Sequence, residues 1–432
     1  MILHGILFAI TIPITGSVYL APGTTEVATE IRIPDGAHDL KIFGDKTVLH
    51  AARNFRGRAV LTCHGCRNLE IHGLTIDGNS AALVKPMPLP RGDKPFSAFY
   101  DNNGVLIENA RGISLDRLHF TNIANYAVLI TRSSDVFITH VAVENSGSLN
   151  ARSRNNGSGG ILLEEGVDNF TVSGCTLRNI RGNGIWTHSF YGSPRNMHGR
   201  IINNKLEDIG RDAIQVGHAS DVIVANNTAR RIGFPASNTD VESYAFSAAI
   251  DTAGDVDHCR YEENTIEEID GKCIDLDGFH DGAIRANKCT NRGKAEDYPF
   301  GNYGISFNNA NRDMNSRNIT VTGNVLEGMK YGAMFVIGSG HRIVGNTFTH
   351  LDTAHCPEAG GAACNWLPQE PDSLRSGIYL AAGAERPDPA IGNIIENNTI
   401  SGWGMAKHCI GAAPKVSLAA NTIRHNTCAN SP

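Results

Sequence analysis

The sequence predicts an all-β solenoid, a chain wound into short coils that stack on one another. Two observations predict it: a short strand-like segment recurs along the chain, and an asparagine follows it at a repeated spacing. A segment of this kind cannot bury its apolar residues alone and does so against the copies before and after it. We therefore expect a single domain over residues 1–432, with a cap and first strand in 1–23 and a C-terminal tail in 427–432.

The recurring strands carry apolar residues two positions apart. Successive side chains of a strand point to opposite faces, so one face becomes a stacked core and the other remains a surface. The segments begin at Gly160, Gly184, Ala213, Ala249, Cys273, Gly304, Ala333 and Gly377.

The asparagines define the coil length, because they recur every 23, 37, 23, 37, 22, 52 and 23 residues. The minimal coil is therefore 22 to 23 residues, and the excess in the longer ones is loop. Cys175 takes the same position without an amide, so we expect the stack to begin one coil later. Its predicted members are Asn204, Asn227, Asn264, Asn287, Asn324, Asn346, Asn398 and Asn421.

Coil length, short apolar strands and recurring asparagines together resemble the right-handed parallel β-helix of the pectate-lyase-like superfamily, from about Gly16 to Asn426. The resemblance implies that the asparagines stack at an inward turn with their amides hydrogen-bonded along the stack. It also implies a carbohydrate-active protein that binds extended saccharides beside its middle coils.

Charge and apolar segments restrict the partners. The net charge is −6 and the sequence pI is near 6.3, so the chain lacks the basic field that holds nucleic acid through its phosphates. Residues 1–20 are apolar but contain no uninterrupted span long enough for a transmembrane helix, and they lack the basic start of a signal peptide. We expect neither nucleic acid nor a membrane as partner, and a saccharide as substrate.

Cysteine spacing points to an oxidising compartment. Cys356 with Cys364, and Cys409 with Cys428, are spaced as possible disulfides. Cys63-His-Gly-Cys66 reads as a loop staple or a buried pair rather than as a zinc site, because no second CxxC accompanies it. Buried thiols without chemistry are expected at Cys175, Cys273 and Cys289. The predicted location is secreted or periplasmic.

The outward face of the strands carries the chemistry. Its first column is Leu106, Leu129, Leu162, Trp186, Gln215, Asp251, Asp275, Ser306, Phe335 and Tyr379. Its second column, two residues on, is Glu108, Thr131, Glu164, His188, Gly217, Ala253, Asp277, Asn308, Ile337 and Ala381. Neighbouring strands lie about 4.8 Å apart and alternate residues about 6.6 Å apart. Asp251, Asp275 and Asp277 should therefore form one group, the aspartate patch.

Three carboxylates this close repel one another, so at least one should have a raised pKa. Glycoside hydrolysis needs one carboxylic acid and one carboxylate acting as base or nucleophile, and the patch supplies both. We predict catalytic roles for Asp251, Asp275 and Asp277, with His218 orienting a carboxylate or water or acting as a base. No cofactor is required for this reaction.

Residues beside the patch are predicted to bind substrate, and Trp186 among them to stack on a sugar ring. The set is Glu164, Trp186, His188, Asp212, Gln215, His280, Tyr303 and Asn308. Loops at 189–199, 233–247 and 291–302 are expected to wall the groove, and whether the last two close it decides between endo and exo action.

Other chemistries remain open at this stage. Polygalacturonases also gather aspartates on neighbouring coils, but of their motifs only Asn238-Thr-Asp240 has a counterpart here. A calcium-assisted polysaccharide lyase or uronate epimerase would use the carboxylates to hold Ca²⁺, yet neither outward column contains Lys or Arg. The lack of basic neighbours favours a neutral glycan. A non-catalytic glycan-binding β-helix, and a transition-metal site of His188, His218 and aspartates, are further alternatives.

Overall fold

The computed structural model describes residues 10–86, 88, 94–154, 157–237, 239, 246–301, 303–310, 314–357, 364, 370 and 372–431. The chain winds as a right-handed parallel β-helix in which each coil contributes a strand to each of three faces. Along the chain the order is face A, face B, face C and then face A of the next coil, as in Ile161–Glu164, Asp168–Ser173, Thr176–Ile180 and Ile185–His188.

Face A, which carries the site, contains Asn103–Glu108, Val128–Thr131, Ile161–Glu164, Ile185–His188, Gly271–Asp277, Ile305–Asn308, Met334–Val336, Ile378–Leu380 and Ile410–Ala412. Four longer strands bend through a corner and serve two faces: Gly23–Arg32, Thr47–His64, Ile214–Ala225 and Ser247–Asp257.

Face B contains Gly16–Tyr19, His38–Phe43, Arg67–His72, Arg111–Asp116, Ser134–Thr139, Asp168–Ser173, Asn196–Ile202, Arg260–Glu262, Phe279–His280, Ala283–Arg285, Thr320–Thr322, Arg342–Val344, Ile394–Glu396 and Thr422–Arg424. Face C contains Thr75–Asp77, His119–Thr121, Ala142–Ser146, Thr176–Ile180, Lys205–Ile209, Thr228–Ile232, Thr265–Ile269, Lys288–Thr290, Val325–Glu327, Thr347–Leu351, Thr399–Gly402 and Thr427–Asn430. Short helices lie outside the faces, at Ser80–Leu83, Phe96–Ala98, Ala295–Asp297, Asp372–Arg375 and Leu418–Ala420.

The core lies inside the three faces and is built from columns of stacked, mostly aliphatic residues. On face A, Ile250 is the direct partner of Ile274, which in turn pairs with Ile305. All three are at most 2% exposed. Burying such aliphatic stacks between every pair of coils supplies the main driving force for the fold.

The asparagine stack lies at the turn from face B to face C. Each side-chain amide donates to the side-chain oxygen of the asparagine one coil on, as Asn204 does to Asn227 and Asn227 to Asn264, both at 3.0 Å. The residue before each of these asparagines is left-handed, as at Asn203 with φ 57° and Gly323 with φ 66°. The backbone N–H of Cys175 donates to Asn204 Oδ1, so the amide stack starts at Asn204.

The predicted last member of this stack is wrong. Asn398 donates to Asn426 at 2.9 Å, whereas Asn421 accepts from the backbone N–H of Asn393 at another turn. In the last coil Asn421 precedes the face B strand Thr422–Arg424 and Asn426 follows it. The sequence spacing does not distinguish these two turns.

The cysteines form more disulfides than the sequence predicts. Bonds join Cys63 with Cys66, Cys356 with Cys364, and Cys409 with Cys428. Cys273 and Cys289, expected as separate buried thiols, are also joined; they lie on the face A and face C strands of one coil with their Cα atoms 6.2 Å apart. Cys175 is a buried free thiol, as is Cys259.

The chain ends differ in one respect from expectation. Gly16–Tyr19 forms the first strand, whereas Thr427–Asn430, expected in a C-terminal tail, is a face C strand paired with Thr399–Gly402. Among the described residues, no helix has both the length and the apolar character needed to cross a bilayer.

Candidate active site

The aspartate patch forms on face A as the strand register requires. Asp251 is the direct partner of Asp275 on the next strand, and Asp277 is the partner of Asn308 on the strand after that. Gln215 precedes Asp251 in the same column. The patch thus occupies adjacent strands, and Asp251 and Asp277 are partly exposed while Asp275 is buried.

Face A is covered on the N-terminal side of the patch. Phe96 and Tyr100, from a segment that crosses the outward face, pack with Leu129, Leu162 and the other apolar residues of the first column in a second hydrophobic cluster. Leu129 and Leu162 are 0% exposed. The outward surface is therefore closed to a ligand before the strand of Gln215.

Face A is covered on the C-terminal side as well. Phe335 and Tyr379, which continue the first outward column, are 3% and 1% exposed. The Tyr379 hydroxyl donates to Glu370 at 2.8 Å, and the Asp372–Arg375 helix packs against the strands of this region. The patch therefore lies in a trough between two covered regions of the same face.

A lysine lies within the patch, which the sequence analysis did not predict. Lys272 Nζ is 2.6 Å from Asp275 Oδ2, and the two side chains are 6% and 11% exposed. Asp275 Oδ1 is buried without a hydrogen-bond partner among the described residues. The premise that the acidic residues have no basic neighbour is therefore wrong, and with it the preference for a neutral glycan loses its support.

The pKa of Asp251 is raised by its surroundings. Burial at the bottom of the trough raises the pKa of Asp251 well above its ordinary value, and the neighbouring Asp212 and Asp275 carboxylates raise it further. Gln215 Nε2 donates to Asp251 Oδ2 at 2.7 Å, and Asn183 fixes the amide by donating to Gln215 Oε1 at 2.5 Å. The neutral form of Asp251 is therefore favoured, and its carboxyl group is held in one orientation by Gln215.

The pKa of Asp277 is raised to near neutrality. Burial raises its pKa to about 7, the backbone N–H of Ala310 lowers it, and the charge of Asp275 raises it. The Ala310 N–H donates to Asp277 Oδ1 at 2.7 Å. Asp277 therefore exchanges its proton near neutrality, while Asn308 lies beside it on the next strand.

Asp212 borders the patch at the corner from face C to face A. Burial raises its pKa to about 6, and the Arg211 charge lowers it. Its Oδ1 accepts from the backbone N–H of Ala248 at 2.9 Å, as Asn183 Oδ1 accepts from the N–H of Asp212 itself. Asp212 is 3% exposed. It is placed to act on Asp251 through its charge rather than to contact a ligand.

Glu164 is not a ligand-binding residue as predicted, since it anchors the covering segment. Its carboxylate is 0% exposed and accepts from the backbone N–H groups of Phe96 and Ser97 at 2.5 and 3.0 Å. His188 Nδ1 lies 3.5 Å from the same carboxylate, and the His188 ring stacks on Phe96 at 4.5 Å.

Ligand atoms of Glu164, Glu165 and His188 lie within 4.8 Å of one another, which is the spacing of a metal site. Glu165 Oε1, however, accepts from the backbone N–H of Phe190 at 3.1 Å, and Glu164 is occupied as described. Both carboxylates therefore fasten loops to face A.

Trp186 and Tyr303 do not face the trough, contrary to expectation. Trp186 is 8% exposed because the Phe96 ring packs edge-on against it at 5.1 Å. Tyr303 is 0% exposed, and its hydroxyl donates to the carbonyl of Ser373. Both aromatic rings belong to the packing of the covering segments.

The predicted histidines lie away from the aspartates. His218 follows a register shift in its strand, packs edge-on against Tyr191 at 4.1 Å, and has its pKa lowered to about 4 by burial. His280 is on face B, between Asp255 at 2.9 Å and Asp281 at 2.8 Å. The structure brings neither imidazole to the patch.

The loops at the corner from face C to face A pack on each other. Phe234 lies 6.2 Å from Tyr298 and Phe246 lies 6.4 Å from Phe300, ring to ring. The backbone N–H of Phe300 donates to Asp270, which comes directly before the strand of the patch. Asn238 and Asp240 lie outside the described residues.

Comparison with known proteins agrees with the fold described above. A family model described as a right handed beta helix region matches residues 59–255, and no curated protein matches the sequence. The chain has the right-handed parallel β-helix architecture that this family model describes.

Solved structures share this β-helix at low identity. PfbA, a surface adhesin of Streptococcus pneumoniae, is 14% identical with a TM-score of 0.55, over 77% of this chain and 82% of that one. The Dettilon tailspike protein is 14% identical with a TM-score of 0.50, over 94% of this chain but only 63% of the tailspike. A polygalacturonase from Erwinia carotovora ssp. carotovora is 14% identical with a TM-score of 0.49, over 72% and 85% of the two chains. These likenesses describe the fold alone.

Proposed function

We propose that the protein is a glycoside hydrolase in which Asp251 is the general acid and Asp277 the general base. The observation that carries the proposal is the pair of partly exposed carboxyl groups with raised pKa values on adjacent strands, inside a trough. Clustering of this kind is typical of acid and base catalysts, which need proton affinities matched to the reaction.

The roles follow from the two proton affinities. Asp251, whose raised pKa favours the protonated form, donates its proton to the glycosidic oxygen as the bond to the leaving group breaks. Asp277, with a pKa of about 7, takes the proton of the attacking water. The leaving sugar departs with the proton of Asp251, and the water-derived hydroxyl remains on the anomeric carbon.

The backbone spacing favours inversion. A displacement of about 4.8 Å across the strands and about 6.6 Å along one gives a Cα separation of about 8 Å between Asp251 and Asp277. Inverting glycosidases hold their carboxyl groups about 6.5–9.5 Å apart to admit a water, whereas retaining ones use about 5–5.5 Å. Direct neighbours such as Asp251 and Asp275 would suit retention, but Asp275 is buried and paired with Lys272.

The Asp275–Lys272 ion pair has a positioning role. The Asp275 charge raises the pKa values of both Asp251 and Asp277, and the Lys272 charge lowers them. Burial is the largest cause of both raised pKa values, and the two charges of the pair adjust them in opposite directions.

The covered regions on both sides of the patch predict exo action. A polymer running along face A would collide with the segment of Phe96 and Tyr100 at one side and with the Asp372–Arg375 helix at the other. A chain end can enter the trough from above, so we propose release of short products from one end of a glycan.

Calcium-assisted chemistry fits the residues less well. Ca²⁺ takes about six to eight oxygen ligands, whereas here Asp275 Oδ2 is paired with an ammonium and Asp251 Oδ2 with an amide. We derive no step through this ion. Lys272 gives little support to the second candidate, a lyase or uronate epimerase, because its ammonium is 6% exposed and already paired with Asp275 Oδ2.

The disulfides support a secreted or periplasmic location. Structural disulfides form and persist in oxidising compartments, and four join cysteines of the described residues.

A glycan panel tests the proposal. Digests are assayed for new reducing ends and for the absorbance of a C4–C5 double bond, with and without chelator, using wild-type protein and Asp251→Asn. We expect reducing ends without absorbance, insensitive to chelator and lost in the variant. Absorbance would support the lyase, and binding without turnover across the panel would support a non-catalytic glycan-binding protein.

A further inference from the structure

A second depression lies near the C-terminal end of the β-helix, apart from the aspartate patch. It has a volume of about 950 Å³, and its walls include Asp352, Arg375, Trp403 and Lys407. Asp352 follows the face C strand Thr347–Leu351, and Trp403 follows the face C strand Thr399–Gly402. The depression therefore lies at the corner from face C to face A, on the far side of the Asp372–Arg375 helix that bounds the trough.

Trp403 provides an aromatic surface at this depression. It is 51% exposed, while most large apolar side chains of the fold are buried. One side is supported by the His355 ring, which is stacked on it with a centroid distance of 4.2 Å and an interplanar angle of 21°. A rigid, half-exposed indole of this kind presents an apolar face with a polar N–H, which suits the C–H face of a sugar ring.

The charged groups around Trp403 are mainly cationic. Arg375 is 9% exposed and held by Asp372, whose carboxylate is bonded to Arg375 Nε at 2.6 Å. Lys407 adds a second cation to the wall. Among the described residues, Asp352 is the carboxyl group in this wall. It is 1% exposed and accepts a hydrogen bond from the backbone N–H of Cys356. Burial raises the pKa of Asp352 to about 7. Arg375 is already paired with Asp372, so the positive charge that favours an anionic group over a cation here is mainly that of Lys407.

We propose that this depression is an ancillary binding site for a carboxylated saccharide, with Trp403 stacking on one sugar ring and Arg375 and Lys407 facing its carboxylate. The site is three strands along face A from Asp275, through Ser306 and Phe335 to Tyr379, or about 14 Å along the axis. It holds a polymer without cleaving it, and the assignment does not depend on hydrolysis at the trough.

Trp403→Ala tests the stacking surface, and Tyr19→Ala is the matched control. Tyr19 is also an exposed aromatic residue, 76% exposed and stacked on Phe43 at 4.9 Å, but it is on the first strand and far along the chain from the depression. Binding to polygalacturonate and to its methyl-esterified form is measured by calorimetry with the full chain, and folding is checked by thermal unfolding.

We expect wild-type protein and Tyr19→Ala to bind polygalacturonate alike, and Trp403→Ala to bind about tenfold more weakly with an unchanged unfolding temperature. Lys407→Gln should weaken binding to the acidic polymer and leave the weak binding of the ester unchanged. Unchanged affinity in Trp403→Ala, absence of binding by the wild type, or equal affinity for acid and ester would overturn the proposal. Turnover of a short glycan by Trp403→Ala, measured in parallel, reports on the trough alone.

Discussion

Asp251 holds the proton on which the proposed reaction depends. Asp251→Asn keeps the shape and the hydrogen bond from Gln215 but cannot donate that proton, so we expect turnover to fall by about 10²–10⁴-fold. Asp168→Asn is the control, because Asp168 is 53% exposed on face B and pairs with His198. Initial rates on the best glycan of the panel measure both variants, and comparable rates for the two would remove Asp251 from the mechanism.

The pH profile should report the other carboxyl group. The base must be deprotonated, so kcat/KM should rise with pH through about 7 as Asp277 loses its proton. It should fall again as Asp251, whose pKa burial also raises, loses the proton that it donates. An acid limb near the ordinary aspartate pKa of about 4 would show that Asp277 is not the base.

Lys272→Met removes the cation that lowers the pKa values of Asp251 and Asp277. The acid limb of the profile should therefore move to higher pH, which a merely structural role would not produce. The variant also leaves Asp275 buried and unpaired, and breaking a buried pair costs about 3–5 kcal/mol of unfolding free energy. Chemical denaturation measures this loss.

Lys272→Met combined with Asp275→Asn leaves no unpaired charge and serves as the control for folding. Its stability should recover toward that of the wild type. If the acid limb of the Lys272→Met profile does not move, the ion pair does not influence the pKa values of Asp251 and Asp277.

The residues predicted from sequence differ in how they depend on register. Asp251, Asp275 and Asp277 lie where the two-residue period of the apolar side chains puts them. Lys272 is two residues before the inward Ile274, so the two-residue period predicts that it points inward. Its long side chain nevertheless brings the ammonium to Asp275. Their catalytic roles remain predictions.

At the scale of single elements, the segment of Phe96 and Tyr100 decides what face A exposes. It covers the column from Leu106 to Trp186 and leaves the strands of the patch open. Sequence spacing could not reveal this, because the segment precedes the strands that it covers and is attached by Glu164, a residue of a later coil. The sequence pattern therefore predicts Glu164 and Trp186 as ligand contacts, whereas the segment covers both.

Glu164→Gln should loosen this segment. A glutamine offers one acceptor oxygen where the carboxylate offers two to the N–H groups of Phe96 and Ser97, so we expect a loss of about 1–3 kcal/mol. Hydrogen exchange should accelerate at those two amides and stay unchanged along the asparagine stack. Glu144→Gln is the control, since Glu144 is 44% exposed on face C. Equal exchange at Phe96 in both variants would contradict the anchoring role.

The asparagine stack shows how well an element can be located from spacing alone. Seven of its eight predicted members are in place, from Asn204 to Asn398. The prediction of Asn421 is wrong because two asparagines, Asn421 and Asn426, lie five residues apart in this coil. Each forms hydrogen bonds at a turn, so the sequence alone does not decide which one joins the stack.

At the scale of the whole molecule, the two covered regions predict the product pattern. Enclosure of the trough along the axis should yield one short product from the first minutes of digestion, with the polymer shortening slowly. Size-exclusion and thin-layer chromatography of a time course measure both. A ladder of intermediate sizes at early times would show that chains pass through the trough and that face A is open to a polymer.

The amide stack also bears on how such a protein changes over evolutionary time. Between Asn346 and Asn398 the chain makes one turn of the cylinder with 52 residues, yet the two side chains meet at 2.9 Å, against 2.8 Å for Asn264 and Asn287, which are 23 residues apart. Residues inserted between coils therefore leave the spacing of the asparagine stack unchanged. Wall segments can be exchanged, lengthened or lost as independent parts, and a new ligand preference can arise without redesign of the scaffold that presents it.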